Sequence, residues 1–409
     1  RDVHAARTAW QRARHVADQL PGDAIGRAAM RISPRSLLCV TAWRVGGSVD
    51  DTGFDELHEL ATVAGDKASL AIGMAGQVFA LAAYGRYREA CKMVPELLTL
   101  GDSVGNPTLT AALLMAALTA RFGTGELTEV MRLSQRIIDD TDADPQTGNF
   151  LVDSPLTVAL MQRAAAEMCK GIPAWRAEVD RAVPMCAELE PGIRAALMLY
   201  VYGIGVANGL LLPDAAMLRA SAEALRVAEE RGDEFALALA RFLRGLILAQ
   251  HDGSQRADGL ELLGQSRETA LRDRVNQAAW QQLKVERAKE EARTGDLDAA
   301  VAGLRAVVEE QFRGDAVMFL GAGVTAFVEA LLQRGGEDDV SEAAAAIERL
   351  GAVSTEPDFV LFDVALLRLR ALLARARGDE ASYRDLAQRY RETAASYGFE
   401  GHLALAKVL

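Results

Sequence analysis

The stretch Gly295–Ala300, GDLDAA, decides how this chain is read. It separates two helical patterns. After it, Leu297, Ala300, Val301, Leu304, Val307, Val308 and Phe312 recur at offsets of three, four and seven, drawing one apolar stripe along a helix. Before it, residues 275–293 read as a second helix. A glycine between them can take the left-handed conformation that closes the first helix, and the adjoining aspartate can cap the second. The same corner recurs at Gly85, Gly125, Gly171, Gly209, Gly253, Gly295, Gly336 and Gly378, with gaps of 40, 46, 38, 44, 42, 41 and 42 residues. A repeat of helix pairs with a period near 42 residues follows.

Such a ladder predicts an all-α chain, an α-solenoid wound as a right-handed superhelix in which each unit packs on its neighbours. A repeat array escapes the usual relation of length to domain number, so residues 1–409 are read as a single helical-repeat domain. Residues 1–65 read as capping or partial units, with helices at 1–20, 34–45 and 53–64 and a corner at Gly46 and Gly47. The expected pairs are 67–84 with 87–100, 107–122 with 126–139, 155–170 with 173–188 and 193–208 with 213–231. Beyond these come 234–250 with 255–272, 275–293 with 296–312, 315–334 with 339–350 and 357–377 with 379–397, and residues 398–409 read as a capping helix. Pro34, Pro107, Pro155, Pro173, Pro213 and Pro357 fall where helices are expected to start, where a missing N–H costs nothing. The first helix of each pair is the more apolar, which predicts one layer sandwiched and one facing water. The longest irregular stretch is 139–155.

Half of the residues are hydrophobic, enough for a continuous core, and aromatic content is low at 6%. The net charge of −12 lacks the clustered Lys and Arg of a nucleic-acid footprint. Cys39, Cys91, Cys169 and Cys186 are scattered without disulfide-like or CxxC spacing, which fits a reducing cytoplasm. The chain starts at Arg1 and shows no signal-peptide pattern, so it reads as an excised part of a longer cytoplasmic protein. The uncharged window 195–212 contains three glycines and Asn208 and occupies a first-helix slot, so it reads as a buried solenoid helix rather than a membrane span.

Chemical motifs fail on inspection. Asp140, Asp142 and Asp144 open like a calcium loop, but Pro145 and Leu151 stand where that loop needs Gly and a bidentate Glu. The five histidines include no pair at helical metal-ligand spacing. There is no GxxxxGK[ST] and no GxSxG, and GAGVT at 321–325 lies within a helical pattern, where small residues permit close helix contact. The expectation is therefore a non-enzyme with no catalytic residue, metal or cofactor. Polar residues recur eight positions before several corners: Gln77, Arg163, Arg287 and Arg370, with Arg244 one residue from its slot. On a groove-facing helix these would grip a partner's carboxylates; alternatively they cover neighbouring helices with their stems and pair with nearby Glu. Tyr200, Tyr202, Trp43, Trp175 and Trp280 sit among aliphatic residues and read as core.

The corners GRYREA, GELTEV and GDLDAA resemble the helix junction of tetratricopeptide repeats, although that family's period is about 34 residues. The longer helices resemble the superhelical sensor region of the maltose-regulator type of ATP-dependent LuxR-family activators. They also resemble actinobacterial proteins in which an adenylyl cyclase domain and a signal-transduction ATPase precede such repeats; the ending ETAASYGFEGHLALAKVL carries that likeness. The resemblance implies a bacterial, cytoplasmic, non-enzymatic sensor or protein-interaction scaffold of a signalling or transcription-regulating ATPase. It would bind a protein, peptide or small inducer on its concave face, without contacting nucleic acid or membrane. The alternative is a small-molecule-binding or enzymatic all-α domain with an enclosed pocket near Tyr200, Tyr202 and Asn208 in place of an open groove.

Overall fold

A computed structural model describes residues 3–46, 48–151, 153–273, 277–314 and 316–409. Helices α1 (Val3–Asp18), α2 (Arg27–Val40), α3 (Ala42–Val45) and α4 (Phe54–Ala64) precede the first full pair. The pairs are α5 (Lys67–Ala83) with α6 (Tyr87–Val104), α7 (Pro107–Thr124) with α8 (Leu127–Asp140), and α9 (Pro155–Cys169) with α10 (Trp175–Met185). In the fourth unit α11 (Pro191–Met198) runs through a π turn, Leu199–Gly203, into α12 (Ile204–Ala207) and pairs with α13 (Ala215–Arg231). The rest are α14 (Glu234–Leu248) with α15 (Gly253–Asp273), α16 (Gln277–Arg293) with α17 (Leu297–Arg313), α18 (Leu320–Arg334) with α19 (Glu337–Gly351), and α20 (Val360–Ala376) with α21 (Glu380–Tyr397). The short α22 (Glu400–Ala406) follows, and no strand occurs among the described residues. The two helices of most pairs pack on each other and on the next unit, and first helices also touch first helices, α5 on α7 on α9 and α18 on α20. This is an all-α helical-repeat solenoid.

The corners work by the expected chemistry. At GDLDAA, Gly295 has φ of 97°, its N–H and that of Asp296 return to the carbonyls of Ala292 and Glu291, and the Asp296 carboxylate accepts from Ala299 N at 3.1 Å. The left-handed glycine is found at each expected corner except Gly336, where Gly335 takes it instead (φ 72°). Helix α18 runs to Arg334, which makes residue 335 the one that must turn, and Gly336 becomes the N-cap of α19. Asn106 and Ser154 cap the helices that begin with Pro107 and Pro155. Pro34 is a correction: it sits inside α2, which starts at Arg27. Burial of Ile32, Leu38 and Cys39 in the core outweighs the lost hydrogen bond. The helix expected at 315–334 starts at Leu320, because residues 317 and 318 are held instead by another part of the chain. Val275, Asp315 and Gly47, where two expected helices and one corner were placed, lie outside the described residues.

The first helices α7 and α9 are buried on most sides, α9 at all but one residue, whereas α16 and α20 keep exposed positions. Second helices bury one stripe, as in α8 with Leu127, Val130, Leu133 and Ile137. The window 195–212 forms the end of α11, the π turn, α12 and the corner at Gly209. Among the described residues no helix is long and apolar enough to cross a membrane.

The array does not stay open. Units laid down late rest on units laid down early, corner against inter-unit loop. Val317 N donates to Gly123 O at 3.1 Å, and Glu356 accepts from the backbone and hydroxyl of Thr128, both at 2.8 Å. Lys170 donates to Pro357 O at 3.1 Å, and Asn208 Nδ2 donates to Met318 O at 2.9 Å. The last helix is bound to the fourth corner through His402 N to Gly209 O (2.9 Å) and Glu400 N to Leu210 O (3.0 Å). At the other end Arg44 pairs with Glu190 at 2.8 Å, and Trp43 meets Phe235 edge to face at 5.2 Å. The coil thereby turns its first helices inward on each other.

Candidate ligand cavities of the inner face

Two cavities lie where first helices from distant units face one another. The first, of about 140 Å³, is walled by α3, α5, the start of α6, α7, α9, α11, the π turn and α14. Its rings are Trp43, Phe79, Tyr87, Tyr200 and Phe235, with Gln162 and Thr119 as polar neighbours. Several of these rings are held by their neighbours. The Trp43 indole N–H donates to Val40 O at 3.0 Å, its ring lies 5.5 Å from that of Phe79, and Tyr200 stands edge-on to Phe122 at 4.9 Å. Burial pushes the Tyr87 and Tyr200 hydroxyls above the ordinary tyrosine range, so both stay neutral.

The second cavity, of about 220 Å³, mixes polar and apolar walls and lies at the seam between α12 and the later helices α16, α18, α20 and α22. Arg368 and Glu329, which form an ion pair, line it together with Asn208, Gln282, Lys289 and His402. Gln282 donates to Glu286 at 2.8 Å, and Lys289 holds both oxygens of that carboxylate at 3.0 Å. The Tyr390 hydroxyl donates to the His402 carbonyl at 3.1 Å and lies 2.9 Å from His402 Nδ1. Burial, aided by the charge of Arg368, lowers the His402 imidazole to about 4, so it is neutral at pH 7. Gln282 Oε1, Arg368 Nε and His402 Nε2 are buried without a hydrogen-bond partner.

The polar residues singled out in the sequence do not converge on either cavity. Arg163 reaches Gln135 of α8 at 2.7 Å and Glu178 of α10 at 2.6 Å. Arg244 donates to Leu218 O and Ser221 on α13 at 3.0 and 3.3 Å. Gln77 accepts from Thr52 at 2.5 Å. Arg287 is exposed and pairs with Glu291 one turn away at 2.9 Å, and Arg370 is exposed beside Gly351. Tyr200 and Asn208 border different cavities, and Tyr202 is buried core whose hydroxyl is pushed up to about 12 by burial. Trp175 is buried with the Arg176 guanidinium 4.4 Å above its ring, and Trp280 is flanked by Arg267 and Lys284. Sequence reasoning missed Gln162, Gln282, Arg368 and His402. Their one signal was a polar side chain inside an apolar run, which does not say which face it occupies.

The acidic loop spends its oxygens on itself. Asp144 accepts from Gln146 N and the Thr147 hydroxyl at 3.0 and 3.2 Å, and Asp140 lies 3.5 Å from Arg136. Within GAGVT, added Cβ atoms at Gly321 and Gly323 would meet Phe362 at 3.3 Å and Gln311 at 2.0 Å, so both glycines serve close packing.

No known family profile matches the chain, and no curated protein matches it by sequence. Among solved structures it is similar to the crystal structure of the yeast protein Tom70. That match has 10% sequence identity and a TM-score of 0.37, and covers 99% of this chain and 95% of the other.

Proposed function

We propose that this chain is a non-enzymatic sensor and interaction scaffold of a cytoplasmic signalling or transcription-regulating ATPase, taking an inducer or partner at its inner face. The observation that carries the reading is the self-closure of the array. Early and late units meet through backbone hydrogen bonds, polar side chains and apolar contacts such as Val317 and Phe359 on Gly125 and Tyr397 on Gly171, and the inner face carries cavities beside those seams. A ligand held between first helices of both parts favours the closed coil over any opened form by its difference in affinity, and an attached output domain would feel that shift. Arg287 and Arg370, exposed on the same helices, would serve a partner's carboxylates.

The small volume of both cavities, about 140 and 220 Å³, favours a small inducer over a long peptide, which needs an extended groove. The test compares the full-length protein with a version lacking residues 67–409, following nucleotide hydrolysis with and without cell extract fractions. Unchanged regulation after the deletion, together with no ligand or partner bound by the isolated chain, refutes the reading.

A further inference from the structure

We propose that the apolar inner cavity binds a small, neutral, planar aromatic molecule bearing one N–H or O–H donor, of the phenol or indole class. As the input of a sensor this rests on the function proposed above; as a binding site it stands alone.

Four observations converge. The volume, about 140 Å³, is that of an apolar cavity that holds a single aromatic ring. Its walls offer aromatic rings from α3, α5, the π turn and α14, set at tilted and edge-to-face angles that a further ring can join. Those same walls carry no formal charge, which disfavours an ionic guest.

The third observation is Gln162. It is 1% exposed, and its Nε2 donates to Thr119 Oγ1 at 3.4 Å. Thr119 in turn donates its hydroxyl to Met115 O at 3.0 Å, so it can only accept from the amide, which fixes the amide with its oxygen free. That Oε1 is buried and has no partner. A purely structural position on an apolar helix is served better by Leu or Met, because a buried acceptor left unpaired is costly. Gln162 lines the cavity, and a small rotation of its side chain would turn that oxygen to a ligand donor.

The fourth is the π turn at Leu199–Gly203, which carries Tyr200 into the wall. Such turns are rare and cluster at functional sites. Gly203 is fitted to it: a Cβ there would come within 2.8 Å of the Leu199 side chain folded over it.

The test is calorimetric titration of the full chain with indole, phenol and benzene. Indole and phenol are expected to bind, with benzene weaker by about tenfold for want of the hydrogen bond. Gln162→Met should leave benzene affinity within about twofold and abolish that preference. Ala196→Leu, which fills the cavity from its wall, should remove binding of all three with the helical circular dichroism intact. Absence of indole and phenol binding to the native chain overturns the proposal, as does a preference that survives Gln162→Met or binding that survives Ala196→Leu. Aromatic binding that leaves the attached ATPase indifferent would sink the sensor reading and leave the site. No aromatic binding in a protein whose ATPase still depends on residues 67–409 would do the reverse.

Discussion

Replacing Gly401 by alanine should weaken the docking of α22, although alanine is by propensity the better helix residue. The carbonyl of Gly209 comes so close that a Cβ on residue 401 would lie 2.6 Å from its oxygen and 3.0 Å from its carbon. Ordinary contact begins near 3.4 Å, so α22 must withdraw by roughly 0.8 Å, and the obstacle is backbone that cannot rotate away. The two backbone hydrogen bonds His402 N to Gly209 O and Glu400 N to Leu210 O stretch with it. At about 1 kcal/mol each, with a further contribution from the buried Phe399 and His402 losing contact, the expected cost is about 2–3 kcal/mol. Native-state hydrogen exchange reads this locally: amides of 399–406 should exchange about 30- to 140-fold faster. Gly264→Ala is the control. It lies in α15 with nothing within 4 Å of the added Cβ, and should stabilise by about 0.5–1 kcal/mol. If Gly401→Ala protects α22 as well as the native residue does, the close approach between the two parts of the coil is wrong.

Three further outcomes are expected. The folded pKa of His402, about 4, is below its unfolded value near 6.5, so the unfolded chain binds the extra proton; stability is full above pH 6.5 and falls as pH drops toward 4, by up to about 3 kcal/mol, and urea melts at pH 7 and 5 with equal midpoints would contradict this. Arg35, 4% exposed, joins Asp18 of the α1 end to Glu56 of α4, so Arg35→Ala should cost about 2 kcal/mol and make residues 19–26 the first site of limited proteolysis; unchanged cleavage would count against the clamp. Burial pushes the Cys39, Cys169 and Cys186 thiols up to about 12, whereas Cys91 is half-buried, so iodoacetamide should modify Cys91 first in the native chain, and early labelling of any of the other three would be inconsistent with their burial.

The repeat was legible because its grammar is local. Gly295 and Asp296 do their work within one turn of themselves, so their chemistry can be read without knowing where the next unit lies. The layering was legible for the same reason: α7 is apolar all round and α8 on one stripe. What was not legible depends on residues far apart in sequence. The start of α18 is set by Gly123 and Asn208, each more than a hundred residues away, and the aromatic cavity needs Trp43 to meet Phe235. The π turn left no mark in the pattern of LYVYG, because a run apolar on every side reads the same whether it makes 3.6 residues per turn or more. Gln162 and His402 were passed over because a single polar residue in an apolar helix has no address until the neighbouring helices are placed.

The bonds from His402 and Glu400 back to the corner at Gly209 have a kinetic consequence. An open solenoid owes its folding speed to low contact order, and each unit can close as soon as its neighbour exists. Here contacts span separations of about 190 to 230 residues, from Lys170 to Pro357 and from Thr128 to Glu356. On a ribosome, the corners at Gly125, Gly171 and Gly209 would therefore emerge long before the segments that cover them. Each seam would stay wet until its covering segment was made, the last of them at residue 402, and sealing them becomes the slow, late step of folding.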